Sequence, residues 1–317
     1  MDVSADDRVP CDTAENKNRT LLSLFDGTGS VCEPFVAAGW TVRRLDIDGR
    51  HGADIVKDIR DWDPEKEWTG PPPDVIFAGP PCENYSVART RAKTPRNLEL
   101  ADSLVAKTLE IIDYFYGQNP KLQFFVENPD SSMLWKRWVS HRLYADPENH
   151  YASNVAQLIR EMRRSNDSTG HVEDPANSSD SAHQDRRRHL ANIATKAFKL
   201  SCRDMQAVRL DYCMYGTKYR KRTRLMTNSP FPGKMCNKKC FGYIQGRHAD
   251  VAQRGPYSRG RGQRSKKGHS LDELHAYPKR LVQEVFDHVL AAETDPHLGL
   301  GPVRTEPVTG LVWDREV

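Results

Sequence analysis

The first 130 residues alternate between short apolar runs and turns bearing glycine or acid. Thr20-Leu21-Leu22-Ser23-Leu24-Phe25 predicts a buried strand, broken at once by Asp26-Gly27-Thr28-Gly29-Ser30. A helix is predicted through Val31–Ala38, closed by Gly39. Val42–Leu45 predicts a second strand, ending in Asp46-Ile47-Asp48, and Asp54–Ile59 a third unit containing a further acid, Asp58. Asp74–Ala78 supplies a fourth strand, running into Gly79-Pro80-Pro81-Cys82. Leu100, Leu104, Thr108, Ile111, Ile112 and Phe115 fall at helical spacing, and Gly117 with Pro120 ends that helix. Leu122–Val126 is a fifth strand, leading to Glu127-Asn128-Pro129. Strands alternating with helices predict an α/β fold, a doubly wound and mostly parallel sheet.

The second half is less regular. Val155, Leu158, Ile159 and Met162 mark a helix, and the Ser-, Asp-, Asn- and His-rich stretch at about 165–187 reads as a flexible insertion. Val208–Met214 and Leu225–Thr227 are predicted as the last strands, and Leu274–Leu290 as a helix entered through Tyr277-Pro278. The expected organisation is a polar leader over 1–18 and a large domain over 19–228. A small region over 229–270, a helix over 271–290 packing back on the large domain, and a tail over 291–317 complete it.

Composition narrows the setting. Mean hydropathy is −0.72, so some segments are expected to stay outside a packed core. No apolar run approaches membrane-spanning length, and residues 1–20 lack the apolar core of a signal peptide. Seven cysteines, at 11, 32, 82, 202, 213, 236 and 240, form no regular framework, which fits a reducing interior. Net charge is only +4, yet the fifteen Lys and Arg between Lys218 and Lys267 face the single acid Asp250, the footprint of a polyanionic partner.

Chemistry is expected at the strand ends. A strand, a glycine turn and a helix bring backbone N–H groups close to a ligand, although a plain tight turn has the same pattern. An acid about twenty residues after the glycines, Asp46, is placed to bind ribose hydroxyls, and an adenosine-bearing cofactor is expected. Cys82 sits on a loop stiffened by two prolines at the end of a strand; taken alone it is equally a buried free thiol. Glu127 stands at another strand end, or merely caps a helix. Arg222 and Arg224 share one face of a strand, or form a solvated basic edge. Cys236 and Cys240, with Cys213 or His248, are weak candidates for zinc, and no metal is expected on that loose spacing.

Leu24-Phe25-Asp26-Gly27-Thr28-Gly29, Asp46, Asp58, Gly79-Pro80-Pro81-Cys82, Glu127-Asn128 and Arg222-Thr223-Arg224 together resemble, in order and approximate spacing, the C5-cytosine DNA methyltransferases. The resemblance covers about 20–228, with a weaker echo at 274–290. It implies the class I S-adenosylmethionine-dependent methyltransferase fold, S-adenosyl-L-methionine as cofactor and DNA as partner, with the target base flipped out of the helix. It gives Cys82 the role of nucleophile at carbon 6 of cytosine, protonated Glu127 that of donor to N3, and Arg224, with Arg222, the O2 side of the ring. For the cofactor it implies Phe25, Asp26, Gly27, Thr28 and Gly29 at the methionine end and Asp46 at the ribose. Ile47 would lie on the adenine face, Asp58 with Ile59 at its amino group, and Pro80 nearby. Ser86 and the basic residues Arg254, Arg259, Arg261 and Arg264 would meet nucleic acid, and a monomer is expected. Glu83, Arg220 and Pro129 depart from the family's usual residues, and no Gly-Asn-Ser motif stands near the C-terminus. A tRNA cytosine-5 methyltransferase and a catalytically silent cofactor-binding accessory protein are the alternatives.

Overall fold

In the computed structural model, the described residues are 18–87, 89, 92–138, 205–252 and 268–294. The leader, the insertion at 165–187, the helix at Val155–Met162, Arg254, Arg259, Arg261, Arg264 and most of the tail lie outside them.

Seven strands form one sheet. They are β1 (Thr20–Leu24), β2 (Thr41–Asp46), β3 (Ile55–Val56), β4 (Val75–Ala78), β5 (Gln123–Pro129), β6 (Gln206–Asp211) and β7 (Arg222–Thr227). The spatial order is β3-β2-β1-β4-β5-β7-β6. Every pairing from β3 to β5 is parallel, whereas β7 runs antiparallel to both β5 and β6. The sheet is mostly parallel with one antiparallel strand and has helices on both faces, the doubly wound α/β arrangement that the sequence predicts.

Central strands of such a sheet are covered on both sides and read as unbroken apolar runs. β1 and β4 are buried at every position, while β2, nearer the edge, alternates. Leu22, Leu24, Ile76, Ala78, Phe124, Val126 and Met226 face one core, built with α3 (Leu98–Gln118). Leu21, Val75, Phe77, Phe125, Leu210 and Leu225 face the other. That second core also takes Phe35 of α1 (Glu33–Ala37) and Leu281, Val285 and Phe286 of α6 (Lys279–Thr294). Two short helices, α2 (Pro64–Glu67) and α4 (Met133–Trp138), lie between the strands, and α5 (Leu271–His275) precedes α6.

Three elements differ from the sequence-based expectation. β5 does not stop at Val126, because β7 supplies a partner for Glu127, Asn128 and Pro129. The strand expected through Met214 ends at Asp211, where Tyr212–Tyr215 turns into a 3-10 helix closed by Gly216 at φ 100°. The region expected to be irregular holds a hairpin, β8 (Tyr243–Ile244) with β9 (Arg247–His248).

The join between β5 and β7 is completed by one side chain. Asn228 accepts from Phe124 N at 3.0 Å and donates to Leu122 O at 2.8 Å, both buried. Asn228→Leu fits the space but strands a buried N–H and a buried C=O, so it should cost about 2–5 kcal/mol. Calorimetric melting of the variant checks this, and an unchanged melting temperature would contradict it.

Candidate functional site

Strand direction collects the chemistry on one edge of the sheet. β1, β2, β4 and β5 all deliver their carboxyl ends there, and antiparallel β7 delivers its amino end. β1 and β4 are neighbours, Leu24 beside Ala78, and chain order reverses between them. The crevice at such a reversal is where α/β sheets bind ligands. The glycine turn and the cysteine loop therefore flank the same crevice.

The glycine turn is held in a conformation that side chains resist. Phe25, Gly27 and Gly29 have φ of 56°, 53° and 72°, a region L-residues visit at a cost and glycine visits freely. Asp46 fixes the turn, its Oδ2 accepting from Gly27 N at 2.8 Å while Oδ1 accepts from Asp48 N at 2.8 Å. Ile47 projects beside it, 69% exposed. These residues suit an adenosine-bearing cofactor: shaped backbone, a carboxylate on the adjoining strand end, and an apolar side chain open to a base.

Other residues expected to hold the cofactor are placed differently. The Asp26 carboxylate is buried and occupied by Ser23 Oγ at 2.6 Å, Cys32 Sγ at 3.3 Å and Arg44 Nε at 2.6 Å. Ile59 turns its side chain into the core with Trp62. Asp58 caps its own 3-10 turn and is gripped by the Arg60 guanidinium, which holds its carboxyl below the ordinary value against the cost of burial. Thr28 lies half-buried within the turn.

Across the crevice, the Cys82 loop is anchored at several points. Tyr85, fully buried, donates from N to Cys82 O at 3.0 Å and from its hydroxyl to Asp102 at 2.8 Å. Asn128, on β5, donates to Pro80 O at 2.8 Å, and its Oδ1 has no hydrogen-bond partner among the described residues. At Gly79 a Cβ would collide with the Tyr277 hydroxyl. Tyr277 comes from the break between α5 and α6. Its N donates to Ser30 Oγ at 2.9 Å and its ring meets Phe77 edge-on at 4.9 Å.

Glu127 is the centre of the pocket. Thr223 Oγ1 donates to its Oε1, Tyr212 reaches the same oxygen at 3.4 Å, and Tyr277 reaches Oε2 at 3.4 Å. Burial and then the Glu127 charge push both tyrosines well above their ordinary values, so each is a proton donor throughout the neutral range. Burial also raises the Cys82 thiol; the Glu127 carboxylate raises it further, and the Lys221 ammonium opposes both. Lys221 is held over the Tyr212 ring at 4.7 Å and donates to Leu274 O at 3.0 Å.

Arg222 and Arg224, expected at the O2 side of the ring, lie on the face of β7 opposite to Glu127, each paired with an acid. On β7, Thr223 and Leu225 share the face of Glu127 and Phe125, so Arg222 and Arg224 point to the opposite face with Met226. Arg222 forms a double hydrogen bond with the buried Asp211, at 3.1 and 3.0 Å, and Arg220 joins it at 3.0 Å. Arg224 is 7% exposed, paired with Asp130 at 2.6 Å and stacked over Trp135 at 5.1 Å. Sequence reasoning missed Lys221, Thr223 and Tyr212. Only the strand's phase relative to β5 selects the first two, and that phase is a tertiary property. Ser86 is partly exposed just after the cysteine turn. No helix among the described residues is long and apolar enough to cross a membrane.

No protein-family model matches the chain. Over 125 residues it is 31% identical to a protein of Frog virus 3 (isolate Goorha) named "Probable DNA (cytosine-5)-methyltransferase". That alignment takes in 36% of this chain and 55% of the viral protein, so the chain spans about half the length of the curated relative it matches. Among solved structures it overlaps a DNA modification methyltransferase of inferred function encoded within an E. coli prophage. The TM-score is 0.38 at 13% identity, over 85% of this chain and 69% of the other. A DNMT2 variant from Spodoptera frugiperda gives a TM-score of 0.33 at 13% identity, over 71% and 57%. Neither overlap is close enough to bear on fold or activity.

The balance of charges around Cys82 is measurable. Alkylation of Cys82 by iodoacetamide, followed by peptide mapping, should show a pH midpoint above that of an ordinary thiol. Glu127→Gln removes the opposing charge and should lower the midpoint, whereas Lys221→Met should raise it. A midpoint that neither substitution moves would contradict the arrangement described.

Proposed function

We propose that this chain is a cytosine-5 methyltransferase, moving a methyl group from S-adenosyl-L-methionine to carbon 5 of cytosine in DNA through a covalent adduct with Cys82. The observation that carries this reading is the convergence, at one sheet edge, of a proline-braced cysteine, a buried glutamate and a glycine turn shaped for an adenosine-bearing cofactor. The likeness to the viral protein supports it.

Carbon 5 of cytosine is a poor nucleophile until carbon 6 carries an electron-rich substituent. Cys82 provides it: the thiolate sulfur bonds to carbon 6, and the ring's electrons move towards N3 and O2. A protonated Glu127 donates to N3 as that charge develops, with Thr223, Tyr212 and Tyr277 keeping its carboxyl fixed. Lys221 is the cation whose charge favours the thiolate of Cys82. When bound, S-adenosyl-L-methionine supplies the methyl group to carbon 5. The carbon 5 proton then passes to water, the electron pair of that bond expels the cysteine, and N3 returns its proton to Glu127 as the ring is restored.

In the cofactor pocket, Phe25, Gly27 and Gly29 shape the backbone, Asp46 faces the ribose hydroxyls and Ile47 the adenine. Residues 229–252, with Arg247, Lys238 and Lys239, form part of a target-recognition region that follows the phosphates of flipped-out DNA.

The test is methyl transfer by the full chain to duplex DNA beside bulk tRNA, with the product base identified. DNA should carry 5-methylcytosine, and Cys82→Ser should abolish transfer while leaving cofactor binding within a few-fold. Glu127→Gln keeps the shape and an N–H donor but no transferable proton. It should slow single-turnover methylation by about 10²–10⁴, with DNA affinity kept or raised. Methylation at another atom, or an active Cys82→Ser chain, would defeat the proposal.

A further inference from the structure

Away from the pocket, four metal-ligating side chains meet at the outer end of the sheet. Cys213 lies in the 3-10 turn that leaves β6, Cys236 and Cys240 flank a tight turn, and His248 ends the β8–β9 hairpin. Their ligand atoms all lie within 4.8 Å of one another. The Cys236 and Cys240 sulfurs are 3.7 Å apart, and His248 Nε2 is 3.5 Å from Cys236 Sγ and 3.3 Å from Cys240 Sγ.

These separations can be compared with a tetrahedral ion. With Zn–S near 2.3 Å and Zn–N near 2.05 Å, the edges of the tetrahedron are about 3.8 Å for S···S and about 3.5 Å for S···N. The three edges among Cys236, Cys240 and His248 match within about a quarter of an ångström, and Cys213 Sγ lies within 4.8 Å of all three. A disulfide needs sulfurs near 2.05 Å, and the described cysteines of this cluster are free.

The backbone around the cluster is formed for metal binding. Lys238 N points at Cys236 Sγ at 3.4 Å, and Lys238 adopts φ 67°, which turns the chain sharply between the two cysteines. Such amide donors stabilise a thiolate, and groups beyond the ligands commonly orient them. Asp211 is one of these groups: its Oδ2 accepts from Cys236 N at 2.7 Å while it holds Arg222. Tyr243 packs edge-on against the His248 ring at 5.3 Å.

We propose that Cys213, Cys236, Cys240 and His248 form a structural zinc site. Four protein ligands close the coordination sphere and leave no position for substrate, which makes the ion a staple rather than a catalyst. It joins the end of β6 to a segment, 229–252, that has only a two-stranded hairpin of its own. Short segments of this kind commonly depend on metal for their fold. The proposal departs from the expectation of no metal, and it stands whether or not the chain methylates cytosine.

The experiment is elemental analysis of the full chain, purified from zinc-supplemented cells and desalted. About one zinc per chain is expected, with none in Cys236→Ser/Cys240→Ser. The chelated wild-type chain, given cobalt(II) alone, should develop thiolate-to-cobalt charge-transfer bands and the intense visible bands of a tetrahedral site. His248→Ala should keep the charge-transfer bands while its visible bands change. Chelation should lower the melting temperature of the wild type and leave that of the double variant unmoved, which covers the case in which the variant folds poorly. A folded wild-type chain without zinc, whose three cysteines alkylate equally fast with and without added zinc, would overturn the proposal.

Discussion

The antiparallel pairing of β7 with β5 is the constraint on which the pocket depends. It extends β5 through Glu127 to Pro129 and brings the amino end of β7 to the edge where the parallel strands finish. It also sets which side chains of β7 face Glu127. In the observed register Thr223 touches the carboxylate, and Arg222 and Arg224 are sent to the buried Asp211 and the partly buried Asp130 on the far face. A slip of one residue would exchange these sets, burying the Thr223 hydroxyl where Asp211 and Asp130 require cations.

The same pairing makes the pocket electrostatically tense. Burial and Glu127 favour the neutral thiol of Cys82, and Lys221 alone among its named neighbours opposes them. In the proposed reaction, a protonated Glu127 no longer repels the thiolate. Proton donation and nucleophile activation are then linked through one carboxyl group. Tyr277 adds to the linkage, because it touches Glu127 and fills the space at Gly79 that any larger residue would need. The segment between α5 and α6 is thus part of the pocket although it is distant in sequence.

Much of the fold was legible in the chain. Buried runs such as Leu21–Leu24 and Val75–Ala78, separated by glycine turns, carry the signal of a covered parallel sheet, and the structure has it. The position of Cys82 just beyond a strand followed from the same pattern, whereas Glu127 stands within β5, which its pairing with β7 prolongs. What could not be read was phase and pairing. The period-2 spacing of Arg222 and Arg224 places them on one face, but only hydrogen bonding to β5 decides which. The resemblance implied cofactor roles for Asp26, Asp58 and Ile59, but it carried no sign of the local partners, Arg44, Arg60 and the core, that hold their side chains. Cys213, Cys236, Cys240 and His248 lacked a recognisable spacing because the sheet and a hairpin, not a single loop, assemble them.

The central claim is that Cys82 bonds to carbon 6 of the target base. Duplex DNA carrying 5-fluorocytosine tests it most directly, because fluorine at carbon 5 cannot leave as the proton does and the cysteine cannot be expelled. With S-adenosyl-L-methionine present, the chain should form a denaturation-resistant complex with that DNA, and mass spectrometry should place the link on Cys82. A chain that methylates ordinary cytosine yet never forms this complex would contradict the account.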